Sequence, residues 1–271
     1  MASCNQTIDT KEVKVLFLHH STGQSIWYGD ETPSLIDKIK LKLGVKYKKN
    51  GVLPELFDHY NKQSQKNYQI KEFYFPKLKP YGWKNYPFDY YNIWVKHAGS
   101  EPYMEEPTLE ILSKEYQLIM FKHCFPVSNI LADQDSADVN SELKSLANYK
   151  LQYLALRDKL HQFSDTKFLV WTGAAQVKSQ ITAEEAQRAK EFFNWVIKDW
   201  DIPGDNIFIW DFYQLQTEGG YYFLEKFAES TSDSHPNKTF SKFASELLFK
   251  RLIDVVENDG LNTQITGKAI N

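Results

Sequence analysis

Three short stretches carry the side chains that could do chemistry. The first is His19-His20-Ser21-Thr22-Gly23, directly after the apolar run Val13 to Leu18. The second is Lys122-His123-Cys124-Phe125-Pro126-Val127-Ser128-Asn129, directly after Gln117 to Phe121. The third is Ser232-Asp233-Ser234-His235-Pro236-Asn237, just ahead of a C-terminal helical pattern. A serine hydroxyl is a weak nucleophile until a base takes its proton, and the base needs a third group to hold its tautomer and its charge. Ser21 is the candidate nucleophile, His235 the candidate base and Asp233 the candidate orienting acid. Asp211, at the end of another apolar run, is the fallback acid. The oxyanion formed on attack needs donors aimed at it. His20, Gly23, His123, Ser128 and Asn129 are the candidates, along with backbone N–H groups near Ser21.

Plainer readings stand beside each of these. Ser21 and Thr22 are residue types that cap helices, and His235 could cap the last helix or pack in the core. His19 and His20 could be metal ligands together with His123 and Asp233, and His20, His123 and Asp233 alone could serve a metal-dependent phosphoester hydrolysis. Adjacent histidines at a strand end point to opposite sides, however, and both rarely bind one ion, so no metal or other cofactor is expected. Cys124 beside His123 is a further nucleophile candidate, although sequence neighbours seldom have the required geometry.

The elements that must position these residues follow from apolar patterning. Strands are expected over residues 13–18, 68–75, 117–121, 167–171 and 206–210. Helices are expected over 33–43, 53–62, 108–115, 139–163, 183–200 and 239–256, with a short one near 221–227. Alternating strands and helices point to an α/β fold with a parallel sheet covered on both faces. Such folds hold ligands outside the carboxyl ends of their strands, where all three stretches fall. No linker, repeat or compositional break appears. A single domain over residues 1–271 is expected, with an ordered core over about 13–258 and a fraying tail from Asp259.

Residues 76–104 form a long connection rich in aromatics, including Tyr81, Trp83, Tyr86, Phe88, Tyr90, Tyr91, Trp94 and Tyr103. A connection of this length is either functional or carries its own packing. It could be a wall for a sugar or acyl group, or a satellite cluster holding the loop down. The formal net charge is −3, so no basic field draws in nucleic acid. No stretch approaches the ~18 apolar residues of a membrane span. The two cysteines, Cys4 and Cys124, make no disulfide framework. The start Met-Ala-Ser-Cys-Asn leaves two compartments open, the cytoplasm and the cell envelope, the latter as a lipoprotein trimmed near Cys4.

The order of these elements, with His-His-Ser-Thr-Gly after the first strand and Asp-Ser-His-Pro-Asn before the last helix, resembles the SGNH hydrolases, or GDSL-like esterases and lipases. The resemblance spans roughly residues 13–255. It implies a flavodoxin-like three-layer α/β/α sandwich around about five parallel strands. It also implies a Ser-His-Asp site with Ser21 as nucleophile and His235 as base. Two departures matter. The acid usually lies three residues before the histidine, a position held here by Ser232, while Asp233 is two before. The Asn-containing oxyanion block has no counterpart in Lys122 to Asn129. The expected activity is cleavage of an ester, with a small-molecule or glycan ester as partner and an O-acyl group on a carbohydrate as one form of it. The rival is a non-catalytic glycan-binding domain on the same scaffold.

Overall fold

A computed structural model describes residues 11–31, 51–134 and 136–270. The helix expected over 33–43 and Cys4 lie outside them. Five strands form one sheet: β1 (Glu12–His19), β2 (Asn67–Tyr74), β3 (Leu118–Phe121), β4 (Lys167–Trp171) and β5 (Ile207–Trp210). Their order is β2-β1-β3-β4-β5 and every pair is parallel. This is the flavodoxin-like order, in which the chain leaves β1 toward β2 and then returns to the other side of β1 at β3. The β1/β3 boundary is therefore the switch point, and the crevice outside its carboxyl end is flanked by residues 20–23 and 122–125.

β3 is buried along its whole length, and so is β1 from Val15 to His19. This explains why both read as continuous apolar runs rather than alternating ones. Helices α1 (Ser21–Tyr28), α2 (Val52–Ser64) and α8 (Lys238–Asn258) pack together on one face. On the other lie α3 (Pro87–Tyr90) with the wide turn Tyr91–Lys96, α5 (Leu146–Leu160) and α6 (Ala183–Trp195). Among the described residues the other α-helices are the short α4 (Leu109–Leu112) and α7 (Phe212–Thr217), and Ala228–Ser230 (β6) pairs antiparallel with Asp233–Pro236 (β7). α6 starts where the sequence places it. The Glu185 N–H donates to Thr182 Oγ1 at 3.2 Å, and the Thr182 N–H donates to Glu185 Oε2 at 3.1 Å, a reciprocal cap.

The aromatic connection is mostly core. Trp83, Tyr90, Tyr91 and Trp94 are buried, with Trp94 4.9 Å from Tyr90 and 5.2 Å from Phe75, centroid to centroid. Tyr90 also donates its hydroxyl to the Lys122 carbonyl at 3.2 Å, which pins the end of β3. The packing reading of this stretch therefore accounts for its largest side chains.

Three expectations are corrected. The helix expected from Val139 begins at Leu146, because residues 138–145 are held as a loop by side chains of the helix that follows. Asn148 Oδ1 accepts from the Asp138 N–H at 2.9 Å, and Gln152 Nε2 donates to the Ser141 carbonyl at 2.9 Å. The short helix lies at Phe212–Thr217 rather than near 221–227. It stops where Glu218 and Gly219 turn left-handed, and Phe223 is drawn onto the Gln176 carbonyl at 2.8 Å. The tail does not fray: the Ile265 carbonyl accepts from the Asp211 N–H at 2.6 Å, the Thr266 carbonyl accepts from Trp210 Nε1 at 3.1 Å, and Arg251 donates to the carbonyls of Gly260 and Thr263. Among the described residues, no helix is long and apolar enough to cross a membrane.

Candidate active site

Ser21 is the first residue of α1, and no side chain caps that helix. Its first-turn N–H groups therefore lack the usual capping partner, and the positive end of the helix dipole lies beside the hydroxyl. What places Ser21 there is the close seating of α1 on β1. A Cβ on Gly23 would lie 2.3 Å from His19 Cβ, so only glycine fits. The His19 ring sits beneath, with Nδ1 2.8 Å from the His20 carbonyl and Nε2 2.8 Å from Glu72. Gly23 is thus a packing residue under the helix.

Asp233 and His235 come from β7. In an extended strand, residues two apart share a face. Asp233 and His235 are half-buried toward the site, while Ser234 and Pro236 are buried behind it. The Ser234 hydroxyl accepts from the Val177 N–H at 3.1 Å. This explains how Asp233 meets His235 from two residues before it: an extended backbone, unlike a turn, brings that spacing into register. Asp233 Oδ1 lies 2.6 Å from His235 Nδ1 and also accepts from the His235 N–H at 2.9 Å. His235 Nε2 lies 2.8 Å from Ser21 Oγ. Phe125 meets the ring edge-on, at 5.1 Å between centroids. Beyond the strand, Asn237 caps α8 by accepting from the Phe240 N–H at 2.9 Å, and its own N–H donates to the Phe227 carbonyl at 2.9 Å. β7 is thereby fixed where it runs into α8.

The other candidates are engaged elsewhere. Asp211 does not approach His235. It caps α7, with Oδ1 accepting from Thr172 Oγ1 at 2.5 Å and from the Gln214 N–H at 3.1 Å, and burial raises its pKa. His20 turns away from Ser21, donating from Nε2 to the Pro76 carbonyl at 2.6 Å and stacking on Tyr74 at 3.9 Å. Burial lowers its pKa to about 4, so the ring is neutral at pH 7. His123 is buried between the Asn85 carbonyl, 3.2 Å from Nδ1, and the Tyr153 hydroxyl, 2.8 Å from Nε2. Burial and the Lys122 charge lower its pKa to about 3. Ser128 donates its hydroxyl to the Ala174 carbonyl at 2.6 Å, and Asn129 Oδ1 accepts from Gln176 Nε2 at 2.9 Å. Among the described residues, no three His, Cys, Asp or Glu side chains are grouped to hold a metal.

Cys124 lies where sequence did not put it. Its sulfur is away from the buried His123 ring and 3.5 Å from Ser21 Oγ. Asn85 Oδ1 accepts from the Cys124 N–H and holds the turn. Asn85, Glu72 and Lys122 support this region and were not singled out from sequence. Only Lys122 left a signal, as a lysine at the end of an otherwise apolar run.

A scan against protein-family models matches none, and a search of curated proteins finds no relative. Among solved structures the chain is similar to a carbohydrate esterase whose active site is described as displaying divergent catalytic and non-catalytic binding functions. The TM-score is 0.41 at 13% identity, covering 92% of this chain and 67% of that one. Likeness at this level leaves the chemistry to be argued from the site itself.

Proposed function

We propose that the protein is a serine esterase of the SGNH type, with Ser21 as nucleophile, His235 as general base and acid, and Asp233 as the group that orients the ring. The observation that carries this reading is the pair of contacts on either side of one imidazole, 2.8 Å to Ser21 Oγ and 2.6 Å to Asp233 Oδ1. Both are within the reach required for proton transfer and for fixing a tautomer. With Nδ1–H donated to Asp233, Nε2 carries the lone pair that takes the Ser21 proton. Oγ then adds to the ester carbonyl. The oxyanion is received by the N–H groups at the start of α1 other than that of Thr22, which points at Cys124 Sγ; they stand in for the missing Asn-containing block. His235 returns the proton to the leaving alcohol, and a water repeats the sequence to release the acid.

An O-acylated carbohydrate is the substrate class favoured within this reading. Tyr74, stacked on His20 and near Cys124, is 52% exposed and offers its ring to a sugar. Most of the aromatic connection is spent on packing, so Tyr74 is the better candidate for that wall.

The test is turnover of a small aryl acetate and of an acetylated oligosaccharide by the wild type and by S21A. Loss of both activities in a folded S21A variant is expected. Undiminished turnover in S21A would refute the nucleophile. Binding of glycan by a wild type that hydrolyses neither ester would favour the non-catalytic rival.

A further inference from the structure

Beneath the site lies a charge that the proposed reaction does not use. Lys122 follows β3 and is wholly buried, and among the described residues its Nζ has no hydrogen-bond partner. Burial lowers its pKa to about 8, so it is largely an ammonium at pH 7. An ammonium in an apolar interior is costly unless an opposite charge answers it. Among the described residues, the group whose charge offsets this burial is Cys124 as the thiolate.

Three donors face that sulfur: the Thr22 hydroxyl at 4.0 Å and the N–H groups of Thr22 and Phe125. Ser21 Oγ lies 3.5 Å from it, with its own proton directed to His235. Burial pushes the thiol pKa up, but the Lys122 charge and these donors outweigh it and bring the pKa below the ordinary thiol value. A cysteine between a helix N-terminus and a lysine is the setting in which thiolates become reactive. Cys124 keeps 9% of its surface exposed, and its neighbour Ser21 is half-buried.

We propose that Cys124 is a modification site at which a hydroperoxide shuts the Ser21 site down, with Lys122 as the counter-charge that holds the thiolate. The sulfur attacks one peroxide oxygen, an S–O bond forms and the O–O bond breaks. The sulfur is oxidised by two electrons, and the departing oxygen is reduced and takes a proton from water. The product is a sulfenic acid. Its new oxygen stands within reach of Ser21 Oγ, where the ester carbonyl has to enter. The shut-off rests on the esterase reading; the oxidation itself does not.

The experiment treats the full chain with hydrogen peroxide at pH 7, traps sulfenic acid with dimedone and locates the adduct by peptide mass. Aryl acetate turnover is followed in parallel, each variant against its own untreated sample. The expected result is an adduct on Cys124, at least a tenfold loss of turnover and recovery with dithiothreitol. C124S should keep its own rate, and K122M should be trapped at least tenfold more slowly. No adduct on Cys124, or K122M trapped as fast as wild type, overturns the proposal; so does an adduct that leaves turnover intact. Should K122M not fold, the pH dependence of wild-type alkylation by iodoacetamide decides. Lys122, Tyr74, Tyr86, Ser21 and Thr22 are the polar groups around the sulfur. A midpoint below the ~8.5 of a free thiol supports the pair, and one at or above it overturns the pair. A wild type that hydrolyses no ester before treatment fails the esterase reading alone, because the mass readout still decides the modification.

Discussion

Replacing Asp233 separates what its charge does from what its geometry does. Oδ1 accepts from both the His235 backbone N–H and the His235 ring. In D233N the backbone N–H selects the amide oxygen for the same place, so the ring keeps its Nδ1–H tautomer and only the charge is lost. Opposite charges ~4 Å apart attract by about 1 kcal/mol in water and about 4 kcal/mol at an effective dielectric of ~20. The Asp233 and His235 side chains are 45% and 34% exposed, which favours the lower part of that range. A loss of about 1–2 kcal/mol is expected, roughly five- to thirtyfold in kcat/KM. D233A also loses the bond that holds the ring, and charge-assisted bonds contribute about 1.5–3 kcal/mol. Its cost should be about 3 kcal/mol, roughly a hundredfold. The assay is kcat/KM on an aryl acetate, with thermal melts confirming that both variants fold. D233A within threefold of wild type would refute the orienting role. D233N falling below D233A would refute the argument that the backbone N–H sets the amide.

Four further outcomes follow from the structure. D211A should lower stability by about 1 kcal/mol through the lost α7 cap, seen as a lower urea midpoint, while kcat stays within twofold; a hundredfold loss of kcat would restore Asp211 as the acid. G23A should lower both Tm and turnover, because the clash with His19 tilts α1 away from His235 and overpacking typically costs about 1–3 kcal/mol. K122M should be more stable than wild type at pH 7. Lys122 is depressed from 10.5 to about 8 in the folded chain, so the unfolded state binds more protons between those values and the ammonium penalty is full below pH 8 and gone above 10.5. The gain, on the order of 3 kcal/mol at about 1.4 kcal/mol per pH unit, should shrink as chemical denaturation is repeated from pH 8 to pH 10. Removing residues 260–271 should lower Tm, because buried Arg251 then loses its carbonyl acceptors at Gly260 and Thr263.

The sheet was legible because its strands are short apolar runs separated by helical periodicity, and burial on both faces leaves that imprint. That Ser21, His235 and Asp233 would come together was legible because each stands beside a structural boundary, a strand end or a helix start, that sequence marks well. What was not legible depended on side chains meeting across long separations. Nothing local says that His20 turns to Pro76 or that His123 meets Tyr153, so both looked available as oxyanion donors. The start of α5 was misplaced because Asn148 and Gln152 bind the preceding loop from inside the helix. The tail looked free because its partners, Asp211 and Trp210, lie some fifty residues earlier.

The most direct measurement of the central claim is covalent capture of Ser21. Diisopropyl fluorophosphate should add one diisopropylphosphoryl group to the chain, located by peptide mass to Ser21, and H235A should slow that addition by at least a hundredfold. An unlabelled wild type, a label on another residue, or H235A reacting at the wild-type rate would contradict the account.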